Sequence, residues 1–314
     1  MIPMRSRMRR LLLAAGLWSC AAAGTAIAQV QGAGSAVDIK GGFRFQIVTG
    51  DDSSVTRRIS DDLSKRLLPI FGGFRTELAQ KRRMVYVTIG PVALRNVLAR
   101  KCDCVVIAAY TSSQVWRLVT GGLSPTRLMS MTAIYAEPAP ADQLRLISLL
   151  YKRPVRVAAI VSHDTSFLKP VLAGSEVEIE DYVEGDDINF ALNRVGQAQV
   201  LLAMPDRNVY SAENFRNVLL STYRHNQSVI GFSADMVRAG ALATTYSNIE
   251  HINAHVADLA LEFVQTGELA PPQFPRYFRT VINEGVARSL QVAVSDEARK
   301  FGREPPVPAP ARRP

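Results

Sequence analysis

Residues 102–122 read "CDCVVIAAYTSSQVWRLVTGG". Six apolar residues, 105–110, stand in a row, and a short hydroxyl-rich piece and a helical run follow. A strand with one wet face alternates apolar and polar residues. This one does not, so both its faces are expected to be covered, as in a parallel sheet between two layers of helices. Thr111 and Ser112 offer N-caps to the helix, and two glycines close it. Trp116, at helical spacing with Val115 and Val119, reads as core. Cys102 and Cys104 at the head of the strand point the same way on a backbone that frames a disulfide poorly, so two buried thiols are expected. No further ligand stands at metal spacing, and no metal site is expected.

The same rhythm runs outward in both directions. "FRFQIV" (43–48) is a strand, followed by a helical segment around 53–68. "RMVYVTIG" (83–90) is a strand that runs into "PVALRNVLAR", where Pro91 suits a first helical position. Downstream, "LMSMTAIYA", "VRVAAIV", "VEIEDYV" and "AQVLLAM" are strands. They alternate with the helical runs "ADQLRLISLLYK", "DINFALNRV" and "SAENFRNVLLSTYRHN". The fold class is therefore α/β, with parallel sheets flanked by helices.

The N-terminus carries four arginines and no acid, an apolar run over 11–23, and Ala26-Ile27-Ala28 as a cleavage pattern. That is expected to be a secretory signal peptide, residues 1–28, which gives a periplasmic protein. "LWSC" ending at Cys20 resembles a lipobox and is the lesser alternative. The formal charge of +9 falls to about +5 once those arginines are removed. No basic stripe is interleaved with aromatics, so nucleic acid is not an expected partner. The Pro-, Ala- and Arg-rich stretch 293–314 is expected to be a flexible tail.

Residues 228–247, "SVIGFSADMVRAGALATTYS", hold two apolar runs too close for a full helical crossover between long parallel strands. A strand, a loop at 233–236 and a returning strand are expected instead. This stretch resembles a pattern, "PVIGFS…VRAGALA…YS", of a family of ABC-transporter substrate-binding proteins of the type I periplasmic binding fold. Ser228 stands where that family usually has proline. "EHINAHVADLALEFVQTGE", "FPRYFRTVINEGVARSLQV", "TAIYAEPAPADQLRLISLL" and "LLAMPDRNVYSAENFRNVLLSTYR" are similar to further family segments, covering roughly 84–292. The chain lacks an "NVTG"-like segment of the longer first lobe, and Asn253 replaces a common glycine. Some relatives bind aromatic amino acids or are linked to purine-like solutes; neither ligand carries over to the shortened first lobe.

The resemblance implies two Rossmann-like lobes hinged around a central cleft. The first lobe is expected over 29–140 plus 248–292 and the second over 141–247. A small molecule, amino-acid-like in character, would be captured between them for the membrane permease of an ABC importer. A membrane sensor fed by the same module is the alternative partner, and the protein is expected to act as a monomer.

In such sheets ligands sit beyond the carboxyl ends of the strands. Gly90, Pro91, Tyr110, Thr111, Ser112 and Tyr135 are the expected ligand-binding residues of the first lobe; Ser162, Asp206 and Ser233 are those of the second. Helix N-termini and hydroxyls would suit a carboxylate and Asp206 an ammonium group.

His251 and His255, spaced as in zinc-binding helices, lack a glutamate between them and a third ligand, and read as a solvated face. Ser162-His163-Asp164 are neighbours in sequence and cannot form a catalytic relay. No catalytic residue and no cofactor is expected, and a secreted α/β enzyme using His163 or Asp206 is the weakest reading.

Overall fold

The computed structural model describes residues 43–71 and 83–306. The expected signal peptide and residues 307–314 of the expected tail lie outside them.

The first sheet is parallel, in the order β1 (Phe43–Thr49), β2 (Arg83–Ile89), β3 (Cys104–Thr111), β4 (Met131–Tyr135). Its strands are apolar on both faces because both are covered. Val85, Val87, Val105 and Ile107 pack under α1 (Ser54–Phe71) and α10 (Ile249–Thr266), through Ile59, Leu63, Val256 and Leu259. The alternate residues, Cys104, Val106 and Ala108, meet Leu94 of α2 (Gly90–Leu98) and Trp116 of α3 (Ser113–Thr120) on the other face. A short helix, α4 (Pro125–Leu128), precedes β4. The helix α1 linking β1 to β2 thus lies opposite α2 and α3, although all three links step one strand the same way.

The second sheet contains β5 (Val157–Val161), β6 (Glu178–Asp181), β7 (Val200–Leu202), β8 (Ser228–Ile230), β9 (Ala243–Tyr246), β10 (Phe278–Ile282) and β11 (Gly302–Arg303). Their order is β11-β10-β9-β8-β7-β5-β6, with β10 and β11 antiparallel to their neighbours. Helices α5 (Pro140–Tyr151) and α6 (Lys169–Ala173) cover one face. Helices α7 (Ile188–Arg194), α8 (Ala212–Arg224) and α9 (Ala234–Ala239) cover the other.

Residues 228–247 differ from the expected strand, loop and strand. The middle is a six-residue helix, α9, between adjacent parallel strands. So brief a helix suffices because β8 and β9 are only three and four residues long. Gly240 ends it at φ 129°, where a side chain would be strained.

The lobe boundaries also differ after α10. That helix covers the first sheet, but β10 joins the second, and α11 (Glu284–Ser289) and α12 (Asp296–Lys300) pack there through Ala287 and Ala298. Residues 296–303 of the expected tail are folded. Ser295 caps α12, Ala298 is fully buried, and Phe301 meets the ring of Phe278 at 5.3 Å. Ala298 and Phe301 outweigh the charged residues of this stretch, which itself holds no proline.

The chain crosses between the lobes at 136–139, 247–248 and 267–277. Tyr135 N donates to Gln273 O and Gln273 N to Ala133 O, so the third crossing runs alongside β4. Ser247 Oγ donates to Tyr277 O at 2.6 Å, tying the second crossing to the third.

Candidate functional site

The carboxyl ends of β3 and β5 bring the two lobes into contact. Ser112 follows β3 and caps α3, accepting from Val115 N at 3.3 Å. Its helix presents Gln114, whose Nε2 donates to Asp164 Oδ2 of the second lobe at 3.1 Å. Arg117, one turn on, lies 4.5 Å over the Phe167 ring. Asp164 also accepts from Asn208 Nδ2 at 3.5 Å and stands 3.9 Å from Arg207 Nε. Gln114, Arg117, Leu118, His163, Asp164 and Phe167 line a cavity of about 270 Å³ at this contact.

Behind this contact sits a buried carboxyl. Glu137, in the first crossing, accepts from Ser113 N at 2.8 Å through Oε1. Its Oε2 and the Ser113 hydroxyl have no partner, and the two residues are 3% and 0% exposed. Burial pushes the Glu137 carboxyl up from its ordinary value, and the Ser113 hydroxyl and backbone N–H beside it oppose that shift. An unpaired oxygen buried this deeply costs stability unless a ligand or water supplies a donor.

Asp206 has the opposite character. Its Oδ2 accepts from Ser162 N at 2.7 Å and from the Thr165 hydroxyl. Its Oδ1 accepts from Asn208 N at 3.0 Å and Val209 N at 3.2 Å. Four internal donors occupy both oxygens, so Asp206 braces the loops after β5 and β7 and offers nothing to an ammonium group. Ser162 belongs to the same brace and caps the 3-10 turn 163–168 through Asp164 N.

Tyr110 does not line the cleft either. A bulge between Ala109 and Thr111 puts it at φ 58°, and its ring packs on the α10 side. Its hydroxyl donates to Asn253 Oδ1 at 2.7 Å, and burial pushes its pKa up. Asn253, in turn, donates to Ile59 O and Asp62 Oδ2 of α1. The amide standing where a glycine was expected is thus the hub joining α1, β3 and α10.

The remaining expected residues are spread around these strand ends. Gly90, at φ 81°, turns β2 into α2 with Pro91 in the first turn. Thr111 is buried, its hydroxyl 3.5 Å from Ala109 O. Ser233 caps α9, accepting from Met236 N at 3.3 Å. Tyr135 meets Phe274 edge-on at 5.2 Å and lines a larger cavity, about 450 Å³, with Trp116, Arg117, Leu128, Met131 and Pro272. Burial and then the charge of Glu137 push its hydroxyl up to about 12. That cavity belongs to the first lobe and the third crossing, whereas the smaller one is bounded by both lobes.

The two histidines of α10 are buried, not solvated: 1% and 0% exposed. His251 Nε2 lies 2.8 Å from Glu304 Oε2 beyond β11, and His255 Nδ1 accepts from Arg276 N at 3.1 Å. Burial, followed by the Arg276 charge, pulls His255 down to about 4. Cys102 and Cys104 are joined in a disulfide rather than left as thiols. Cys102 precedes β3, and the bend at Asp103 brings the Cα atoms to 5.3 Å, inside the range a disulfide spans.

Sequence reasoning missed Ser113, Gln114, Glu137 and Asp164. The available signal was Glu137, the sole acid between residues 131 and 141.

No family model matches this sequence, and no curated protein matches it. Solved structures do. A substrate binding protein with adhesive properties from Clostridium difficile, in its ligand-free, open structure, is similar at 14% identity. The match covers 82% of this chain and 97% of that one, with TM-score 0.59. An ABC domain in complex with L-Trp from Streptococcus pneumonia matches at 14% identity over 83% of this chain and 99% of that one, TM-score 0.51. A conserved domain protein from Vibrio cholerae o1 biovar eltor also matches, at 14% identity and TM-score 0.51 over 83% and 98%. The chain has the type I periplasmic binding protein-like fold, with two lobes of parallel sheet flanked by helices.

Proposed function

We propose that this chain is a solute-binding protein that captures a small molecule between its lobes for a membrane importer. The observation that carries this reading is the meeting of strand ends at Gln114 and Asp164, with Ser113 Oγ and Glu137 Oε2 left unpaired behind it. Those two groups favour a solute that supplies hydrogen-bond donors, such as the ammonium group of an amino-acid-like molecule. Backbone N–H groups around Gly90 and Ser112 would meet its carboxylate, with Pro91 shaping that turn, Tyr135 would border its apolar part, and Ser233 would close over it from the second lobe. Ser162 and Asp206 would hold the second-lobe wall in shape. The protein binds and releases without chemistry, as a monomer exported to the periplasm by its N-terminal segment. Among the described residues no helix is long and apolar enough to cross a membrane.

Capture is a shift between open and closed lobes, limited by the solute's differential affinity for the two. The test strips bound solute by unfolding and refolding. Melting is then followed against amino acids, amines, nucleobases, sugars and small anions. A ligand at 100 times its Kd adds roughly 2.7 kcal/mol of stability. A hit confined to amine-bearing solutes is the expected outcome; a silent panel on folded protein would overturn the reading.

A further inference from the structure

Cys102 and Cys104 lie at the amino end of β3, about 23 Å along the strand from the ends that form the candidate cleft. Solute capture at those ends does not explain the pair. Nor does scaffolding: a disulfide stabilises by closing a long loop of the unfolded chain, and this one closes only three residues.

The two sulfurs have unlike surroundings. Cys104 is fully buried, while Cys102 is partly exposed. Arg127 Nη1 donates to Cys104 O at 2.7 Å and to Ser130 Oγ at 3.2 Å, which fixes its guanidinium. Its Nη2 then lies 3.3 Å from Cys104 Sγ. The nearby acid, Asp103, is paired with Arg83 at 2.8 Å, and Lys101 is exposed beside it. The pair sits in an electropositive, half-open setting of the kind that makes cysteines reactive.

We propose that Cys102–Cys104 is a thiol–disulfide exchange site for a reduced dithiol partner, with Cys102 the sulfur attacked and Cys104 the sulfur that leaves. The partner's thiolate attacks Cys102 Sγ, forming a mixed disulfide and breaking the bond to Cys104. Cys104 departs as a thiolate, and Arg127 holds the charge; a stabilised leaving group leaves faster. The partner's second thiolate then attacks its own bonded sulfur, closes the partner's disulfide and releases Cys102 as a thiolate, which takes up a proton. Two electrons pass from the dithiol to the pair, and an oxidised partner reverses every step.

The experiment treats the folded full chain with millimolar reduced glutathione, quenches with acid, alkylates free thiols and maps the peptides, which separates the pair from Cys20. Glutathione on Cys102 with alkylated Cys104 is the expected pattern, and Arg127→Gln should slow loss of the disulfide about tenfold. A disulfide that resists until the protein unfolds, glutathione on Cys104, or an unchanged rate in Arg127→Gln would each overturn the assignment. Two single variants give an independent check in the folded protein. Cys104→Ser should leave a Cys102 thiol that oxidised glutathione labels, and Cys102→Ser should leave Cys104 unlabelled; the reverse pattern refutes the roles.

Discussion

The two lobes treat buried polar groups differently. In the second lobe, Asp206 is 1% exposed and accepts four hydrogen bonds. In the first crossing, Glu137 is 3% exposed and accepts one. The same contrast extends across the molecule. Among the described residues, buried side-chain atoms without a partner sit on Thr88, Ser113, Thr132, Glu137, His251 and His255, around the first sheet and its helix, and on Tyr210 alone around the second. The second lobe is built as a finished frame, whereas the first keeps open hydrogen-bonding capacity. Rigidity belongs to one wall of the cleft and chemical demand to the other.

The contrast breaks first at Asp206. Asp206→Ala strips partners from three backbone N–H groups, and urea unfolding should show a loss of about 4 kcal/mol. A loss below 1 kcal/mol would mean the second-lobe frame is not held by this carboxylate. Next comes His255, held near 4 against an ordinary 6.5. Its unfolded form takes up a proton that the folded form refuses, so stability falls as pH drops from 6.5 through 4. The loss should reach about 3 kcal/mol, and His255→Leu should flatten the pH profile of unfolding over that window.

Glu137 titrates with the opposite sign. Its folded pKa is raised by burial, so folding favours uptake of a proton. Stability conferred below its ordinary value of 4.5 declines as pH rises through the shifted one. Glu137→Gln should therefore stabilise the free protein by about 1 kcal/mol at pH 7. The same variant should weaken an amine-bearing solute at least about tenfold, as read by calorimetry, which separates a binding carboxyl from a merely buried one. The smallest effect is at Gln114. Gln114→Ala removes one cross-lobe hydrogen bond, worth about 0.5–1 kcal/mol, and should shift X-ray scattering of the solute-free protein toward a larger radius. An unchanged radius would show that Asp164 and Gln114 do not hold the lobes together.

Most of the architecture was legible because it is written in local patterns. The unbroken apolar run 105–110 announced a strand covered on both faces, and Ser112 announced the helix that follows it. Alternation fails where packing partners come from far along the chain. Nothing near His251 or His255 indicates that α10 is buried on the faces they occupy, and nothing near 296–303 indicates that Phe301 finds Phe278. The site was half legible for the same reason. Strand ends could be placed from the sequence, but whether a carboxylate there is open or saturated depends on donors contributed by other loops. Asp206 looked like a binding group until Ser162 N and Val209 N reached it. Glu137 stands just ahead of two prolines, Pro138 and Pro140, and only the fold reveals its unpaired oxygen.

The placement of α10 also governs the order of assembly. Ile59, Leu63 and Leu67 of α1 and the apolar side of β2 and β3 are covered by Ile252, Val256 and Leu259, and the strands and helices of residues 140–246 lie between them in the chain. A growing chain that has reached β4 holds a four-stranded sheet with part of one face bare. It must make nearly all of the second lobe before it makes the helix that covers the first. The first lobe cannot finish folding before residues 249–266 are available, and a purified fragment ending before residue 249 should be protease-sensitive in residues 43–135 while 157–230 already resists.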